Sequence, residues 1–165
     1  MTVVVYVGLG SNLSEPAAQL KTAVRALASI QGVTLLQSSS LYGSDPLGPP
    51  DQPRYVNAVV ALETILSPIA LLDALQSIEL QHGRVRKAER WGPRTLDLDI
   101  LLFGNQTIDE PRLTVPHYHM HARPFVLYPL NEIAPGLILP NGDTLADWLE
   151  DCPSDGLEVI AAPPR

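Results

Sequence analysis

Thr95-Leu96-Asp97-Leu98-Asp99-Ile100-Leu101-Leu102-Phe103 alternates polar and apolar side chains up to Ile100 and then closes on an apolar run. A period of two marks a strand with one buried face. Leu96, Leu98 and Ile100 are therefore expected to turn inward, and Thr95, Asp97 and Asp99 to share the other face. Residues on one strand face lie about 6.5 to 7 Å apart, so two carboxylates there repel each other unless a cation lies between or beside them. Magnesium is the candidate, because it takes hard oxygen ligands, often one or two carboxylates with substrate phosphates completing its shell. The plainer reading, a solvated acidic face on an edge strand, is weighed against what precedes it.

What precedes it is basic. Positions 84 to 94 carry Arg84, Arg86, Lys87, Arg90 and Arg94 against Glu89 alone, in a chain with 11 Lys and Arg in total. Gly92-Pro93 breaks regular structure, which makes the segment a loop leading into the acidic strand. Guanidinium groups bind phosphate oxygens in bidentate fashion. A metal-binding pair beside an arginine-rich loop is what phosphoryl transfer requires, and a chance wet loop has no reason to gather positive charge there when the net charge is −7.

Working outward, Thr2 to Val7 reads as a buried strand, and Gly8-Leu9-Gly10-Ser11-Asn12 as the turn that follows it. With Leu13 in place of a third glycine, this is not a dinucleotide fingerprint, and it lacks the Gly-Lys-Ser/Thr of a P-loop. Asn12 or Ser14 can cap a helix that has Pro16 in its first turn, an apolar stripe of Leu20, Val24, Leu27 and Ile30, and Gly32 as its end. Val33 to Tyr42 is expected as a second strand, 43 to 53 as a long functional loop, and Tyr55 to Leu66 as a third strand with Tyr55, Asn57, Val59, Ala61 and Glu63 on one face. Ser67-Pro68 opens a helix running to His82, with Ile69, Leu72, Leu75 or Gln76, and Leu80 toward the core and Gly83 as its stop. Gln76 and Glu79 share a face near its basic-loop end. The order strand, helix, strand, strand, helix, strand predicts an α+β fold with a ferredoxin-like split βαβ sheet, helices on its face and extra C-terminal elements. Beyond the Gly104-Asn105 turn, Ile108 and Leu113 to Val115 are expected as short strands, and 116 to 132 as largely helical. A hairpin-like turn at 139 to 142 then leads to a short helix capped by Asp143.

Composition bounds the rest. A chain of 165 residues, 45% hydrophobic and 18% charged, is expected to form a single catalytic domain over 1–165 with a sizeable core. Its acidic balance argues against nucleic acid or a membrane surface as partner. Cys152 stands alone, so no internal disulfide forms, and a cytoplasmic location is expected. No apolar run reaches the length of a membrane span and no charged leader precedes the first strand. His117, His119 and His121 alternate, but Pro116 points to a turn into a helix, where the three would not converge on zinc. No serine has the context of a nucleophile elbow. Tyr55, Trp91 and Phe125, three of nine aromatic residues, lie at element ends. They read either as core packing or as a platform for a flat heterocycle whose amide edge Asn57 would meet.

Arg-Trp-Gly-Pro-Arg-Thr-Leu-Asp-Leu-Asp-Ile at 90 to 100 is similar to the signature of the 6-hydroxymethyl-7,8-dihydropterin pyrophosphokinase family of the folate pathway. The resemblance continues in Gly-Leu-Gly-Ser-Asn-Leu at 8 to 13, Pro-Leu-Gly-Pro at 46 to 49, Asp-Gln-Pro at 51 to 53, Tyr-Val-Asn at 55 to 57, Glu-Leu-Gln-His-Gly-Arg at 79 to 84 and Arg-Leu-Thr-Val-Pro-His-Tyr at 112 to 118. It implies transfer of pyrophosphate from ATP to the pterin's hydroxymethyl oxygen, leaving AMP, by an enzyme expected to act as a monomer on these two small molecules. By matching position it implies that Asp97 and Asp99 hold two Mg2+ ions and that Arg84 and Arg94 act on the transferring group. Arg86, Lys87, Arg112, Thr114, His117, Tyr118 and Arg123 would surround the nucleotide, with Gln76 and Glu79 at the floor and Leu72 and Ile100 lining the adenine pocket. Tyr55 and Phe125 would sandwich the pterin and Asn57 would read its edge, with Ser44 and Leu47 giving backbone contacts and Trp91 riding on a lid. The chain departs from the family's usual Thr-Pro at Ser44-Asp45, and no role is assigned after Leu149.

Overall fold

A computed structural model describes residues 2–11, 16–44, 55–81, 96–117, 120–154 and 157–163. The elements run β1 (Val3–Ser11), α1 (Pro16–Ala28), β2 (Val33–Ser38), β3 (Leu41–Ser44), β4 (Tyr55–Thr64), α2 (Pro68–Gln81) and β5 (Asp97–Phe103). A hairpin of β6 (Ile108–Glu110) and β7 (Leu113–Val115), a 3-10 turn at Met120–Ala122, α3 (Pro124–Ile133), α4 (Leu145–Glu150) and β8 (Glu158–Ala161) follow. The main sheet is antiparallel in the order β5-β1-β4-β3-β8, with β2 also beside β4. This is the split βαβ arrangement, with its second strand divided into β2 and β3.

Alternation along β1 explains the layers. Val5, Val7 and Leu9 join Leu20, Val24 and Leu27 of α1 and Leu71, Leu75 and Ile78 of α2 in one core. On the opposite face, Val59, Leu101 and Leu102 pack against Val126, Leu127 and Leu130 of α3, with Leu145 of α4. A bulge separates the two halves of β5. Val7 pairs with Ile100 and Tyr6 with Leu102, so Leu101 has no residue opposite it. The bulge turns both Leu101 and Leu102 toward α3 and returns Phe103 to the first core, which accounts for the apolar run that ends the strand.

Several expectations change. β1 does not turn at Gly8; it continues through Ser11, because Leu9 and Ser11 keep the buried alternation of Val5 and Val7. Val33 to Tyr42 is two strands. At the break, Ser39 Oγ accepts from the Val59 amide (2.9 Å) and donates to the Ser40 carbonyl (2.8 Å), a side-chain alternative to the ladder. α1 ends at Ala28, and Gly32, at φ +86°, serves the turn into β2 instead. Its carbonyl accepts from Ile65 N and Thr64 Oγ1. Leu80 is exposed while Leu71 and Ile78 are buried, as helical spacing from Leu75 requires. Ser67 caps α2 as expected, accepting from Ala70 N. Thr144, not Asp143, caps α4, since Asp143 is taken by the Trp148 indole and the Asn141 amide. The tail past Leu149 supplies β8, paired with β3. The caps proposed at Asn12 and Ser14, the stop at Gly83 and most of the loop from 43 to 53 lie outside the described residues.

Glu132 near the end of α3 ties this helix to the sheet. Its carboxylate accepts from Ser40 N (3.0 and 3.1 Å), Ser40 Oγ (2.9 Å) and Tyr42 Oη (2.7 Å). Burial first, then the Glu132 hydrogen bond and charge, push the Tyr42 phenol well above the usual tyrosine range. A phenol whose proton the fold holds more tightly adds stability that is complete below about pH 10 and is lost as pH rises above it. Glu132→Gln is expected to let Tyr42 ionise at lower pH, measured as the difference in alkaline absorbance titration against Tyr42→Phe. Glu132→Ala should cost about 1.5 kcal/mol in denaturant unfolding, the low end for bonds to a charge because the carboxylate is exposed.

Candidate functional site

Register brings the candidate residues together. Across β5, β1 and β4, Asp97 lies opposite Gly10 and Gly10 opposite Asn57. One step along, Asp99 lies opposite Gly8. All point to the α3 side, so the strand between the acids and the carboxamide carries no side chains there. Adjacent strands are about 4.8 Å apart, which leaves a bare lane on the sheet roughly two strand spacings wide. The lane needs glycine: a Cβ on Gly10 would stand 2.9 Å from Asn57 Oδ1, whereas one on Gly8 would meet Leu101 at an ordinary 3.4 Å. Phe125 and Val126 of α3 close the lane from above, opposite Tyr55 and Asn57, around a cavity of about 70 Å³. Arg123 lies against the Phe125 ring, its guanidinium carbon 5.7 Å from the centroid.

A larger cavity, about 320 Å³, opens on the other side of β5, between that edge strand, α2 and β7. Leu72 and Ile100 give it an apolar end; Gln76, Arg112, Thr114, Asp99 and His117 give it a polar one. Arg112 is held at the rim by α2, donating to Asp73 (2.6 Å) and to Gln76 Oε1 (3.2 Å). Glu79, buried at the base, accepts the Leu98 amide hydrogen at 2.8 Å. Asp99 and His117 line both cavities. His117 is fixed by its amide, which donates to Leu101 O (3.0 Å), and its Nε2 stands 3.9 Å from Asp99 Oδ1.

The donor set suits magnesium. Asp97 and Asp99 are hard oxygen donors on one strand face where the two cavities meet, and Asp99 is half exposed. Among the described residues no group of three or more His, Cys, Asp and Glu could hold a metal. Magnesium does not need such a cage, since phosphates and water complete its shell. Zinc would need one; of the described histidines, His117 faces the cavities, while His121 packs edge-on against Trp148 with centroids 6.0 Å apart. His119 lies outside the described residues.

Of the residues singled out in the sequence, Leu72, Gln76, Glu79, Ile100, Arg112, Thr114 and His117 gather on the larger cavity, and Asp97, Tyr55, Asn57 and Phe125 on the smaller. Arg123, expected near a nucleotide, lines the smaller cavity instead, beside the acidic pair. Ser44 ends β3 opposite Tyr55. Arg84, Arg86, Lys87, Trp91, Arg94, Leu47 and Tyr118 lie outside the described residues. Sequence reasoning missed Gly8 and Gly10 as the bare lane, which the register against Asp97, Asp99 and Asn57 defines. It also missed Asp73, one turn before Gln76 on α2, as the partner of Arg112.

Residues 6–135 match the model of the 7,8-dihydro-6-hydroxymethylpterin-pyrophosphokinase family. A Pseudomonas aeruginosa protein named 2-amino-4-hydroxy-6-hydroxymethyldihydropteridine pyrophosphokinase is 61% identical over 156 residues, covering 94% of this chain and 96% of its own. A Haemophilus influenzae protein of the same name is 54% identical over 148 residues, covering 90% and 92%. In fold, the chain resembles a crystal structure of Plasmodium falciparum HPPK-DHPS wild type with pteroate at a TM-score of 0.72 and 16% identity, over 92% of this chain and 42% of that longer one. A strand-borne acid pair set between two cavities, matched along most of the chain by relatives of one name, places this chain in the 7,8-dihydro-6-hydroxymethylpterin-pyrophosphokinase family.

Proposed function

We propose that the chain transfers the pyrophosphoryl group of ATP to the hydroxymethyl oxygen of 6-hydroxymethyl-7,8-dihydropterin, giving AMP and the pterin pyrophosphate in folate biosynthesis. The observation that carries this reading is the pair of cavities meeting at Asp99 and His117. One suits a nucleotide, with Leu72 and Ile100 against adenine and Gln76, Arg112, Thr114 and His117 toward ribose and phosphates. The other suits a flat ring lying on the glycine lane between Tyr55 and Phe125, its amide edge toward the Asn57 carboxamide, which offers one donor group and one acceptor. The triphosphate then crosses β5 at Asp97 and Asp99, and the hydroxymethyl group meets it there.

Transfer from a polyphosphate depends on positioning and on charge stabilisation more than on a strong base. Asp97 and Asp99 would hold magnesium at the seam, and the ions, two with ATP, would neutralise charge on the transferring group. Arg84 and Arg94 are assigned to the same charge, with Arg86, Lys87 and Tyr118 toward the nucleotide, Arg123 toward the phosphates, Ser44 and Leu47 toward the pterin through backbone groups, and Trp91 as a cover. We read 1–165 as one catalytic domain, acting as a monomer in the cytoplasm without nucleic acid or membrane. The net charge of −7 and the lone buried Cys152 support this. No helix among the described residues is long and apolar enough to cross a membrane.

The test is to incubate the chain with ATP, magnesium and hydroxymethyldihydropterin and to separate the nucleotides. AMP formed only when the pterin is present is the expected result; ADP, or hydrolysis indifferent to the pterin, would overturn it. A second expectation concerns the lane. Gly10→Ala should weaken pterin binding by about tenfold, the equivalent of about 1.4 kcal/mol, because the new methyl displaces the Asn57 carboxamide, while Gly8→Ala should have a smaller effect. Fluorescence titration with pterin checks both, and equal affinities for the two variants would contradict the assignment of Asn57.

A further inference from the structure

Glu79 is the charged residue among the buried polar side chains described, at 6% exposure. Burying a carboxylate is costly unless it is compensated by hydrogen bonds. Here Oε2 accepts the amide hydrogen of Leu98 at 2.8 Å. Leu98 is the residue between Asp97 and Asp99, and among the described residues its strand lies at the edge of the sheet with β1 as its strand neighbour. Both aspartates fall within the first three residues of β5, where a strand with a single neighbour frays. Glu79 is placed for this by α2, whose Leu71, Leu75 and Ile78 are locked in the first core.

We propose that Glu79 is a positioning residue. Through that bond it braces the Asp97-Leu98-Asp99 backbone, so that the two carboxylates project from a fixed peptide. The inference rests on the reading of Asp97 and Asp99 as cation ligands.

Glu79→Ala and Glu79→Gln test it, each with a folding check by circular dichroism. Amide hydrogen exchange by NMR reads the brace itself: Leu98 should exchange about tenfold faster or more in Glu79→Ala, while Val59, in the centre of the sheet, keeps its protection. Manganese titration of the ATP-bound protein by electron paramagnetic resonance reads the consequence. The half-saturating metal concentration should rise by about 10- to 100-fold in Glu79→Ala, as for loss of a group that orients metal ligands, and by less in Glu79→Gln, whose carbonyl still accepts. Should the alanine variant fail to fold, Glu79→Gln carries the test, since any change in its metal affinity must track a change in Leu98 exchange. Unchanged Leu98 exchange in a folded Glu79→Ala overturns the proposal. So does faster exchange with unaltered metal affinity, which would make the brace merely structural. Failure of the wild-type chain to form AMP would sink the functional reading while leaving the Leu98 exchange result standing.

Discussion

Asp97→Ala or Asp99→Ala is expected to lower the catalytic constant by about 10³-fold or more, equivalent to about 4 kcal/mol of lost transition-state stabilisation. The fold should survive. Asp99 is half exposed and Asp97 partly so, and neither belongs to the cores, whose side chains on β5 are Leu98, Ile100, Leu101, Leu102 and Phe103. Removing one of two like charges on a strand face relieves repulsion, so thermal stability should hold or rise slightly. A carboxylate that only binds ATP would raise KM and leave the catalytic constant alone, whereas one that stabilises charge developing during transfer lowers the catalytic constant. Steady-state kinetics beside circular dichroism settles which applies. Near-normal turnover in either variant would remove the acid pair from the mechanism.

Asn57→Ala carries the second large effect. The side chain is buried at 6% exposure, on the strand next to the glycine lane and two strands from the acids. Its carboxamide offers a donor and an acceptor to the pterin's amide edge, and losing both leaves those ring groups buried without partners. At about 1 to 3 kcal/mol for each unmade bond, kcat/KM for the pterin should fall by about 10²- to 10³-fold, in keeping with the strong discrimination of sites built to hydrogen-bond their substrate. ATP affinity should not change, because Asn57 lines the smaller cavity and not the larger. A comparable loss in both affinities would mean that Asn57 supports the sheet rather than reads a ring.

These two residue pairs are legible in the sequence because strand alternation is strict: a period of two places Asp97 with Asp99 and Tyr55 with Asn57 without knowledge of the partners. The strand and helix order predicted the split βαβ sheet for the same reason. What stayed hidden depends on contacts far apart in the chain. The break between β2 and β3 is made by Ser39 bonding to Val59, and nothing local in a run of three serines announces it. Glycines 8 and 10 read as a turn because glycine permits turns. Only the register against Asp97 and Asn57 shows that their missing side chains form the lane. Glu79 reads as a polar residue of a nucleotide-facing helix, and its burial against the Leu98 amide follows from how α2 lies over the edge of β5.

The most direct measurement of the central claim is a crystal of the chain grown with manganese, a non-reacting ATP analogue and hydroxymethyldihydropterin, with anomalous scattering used to locate the metal. The expected map has manganese bonded to Asp97 and Asp99, with the triphosphate crossing β5 toward a pterin lying on Gly8 and Gly10. Aspartates hydrated and without metal, with the nucleotide held elsewhere, would contradict it.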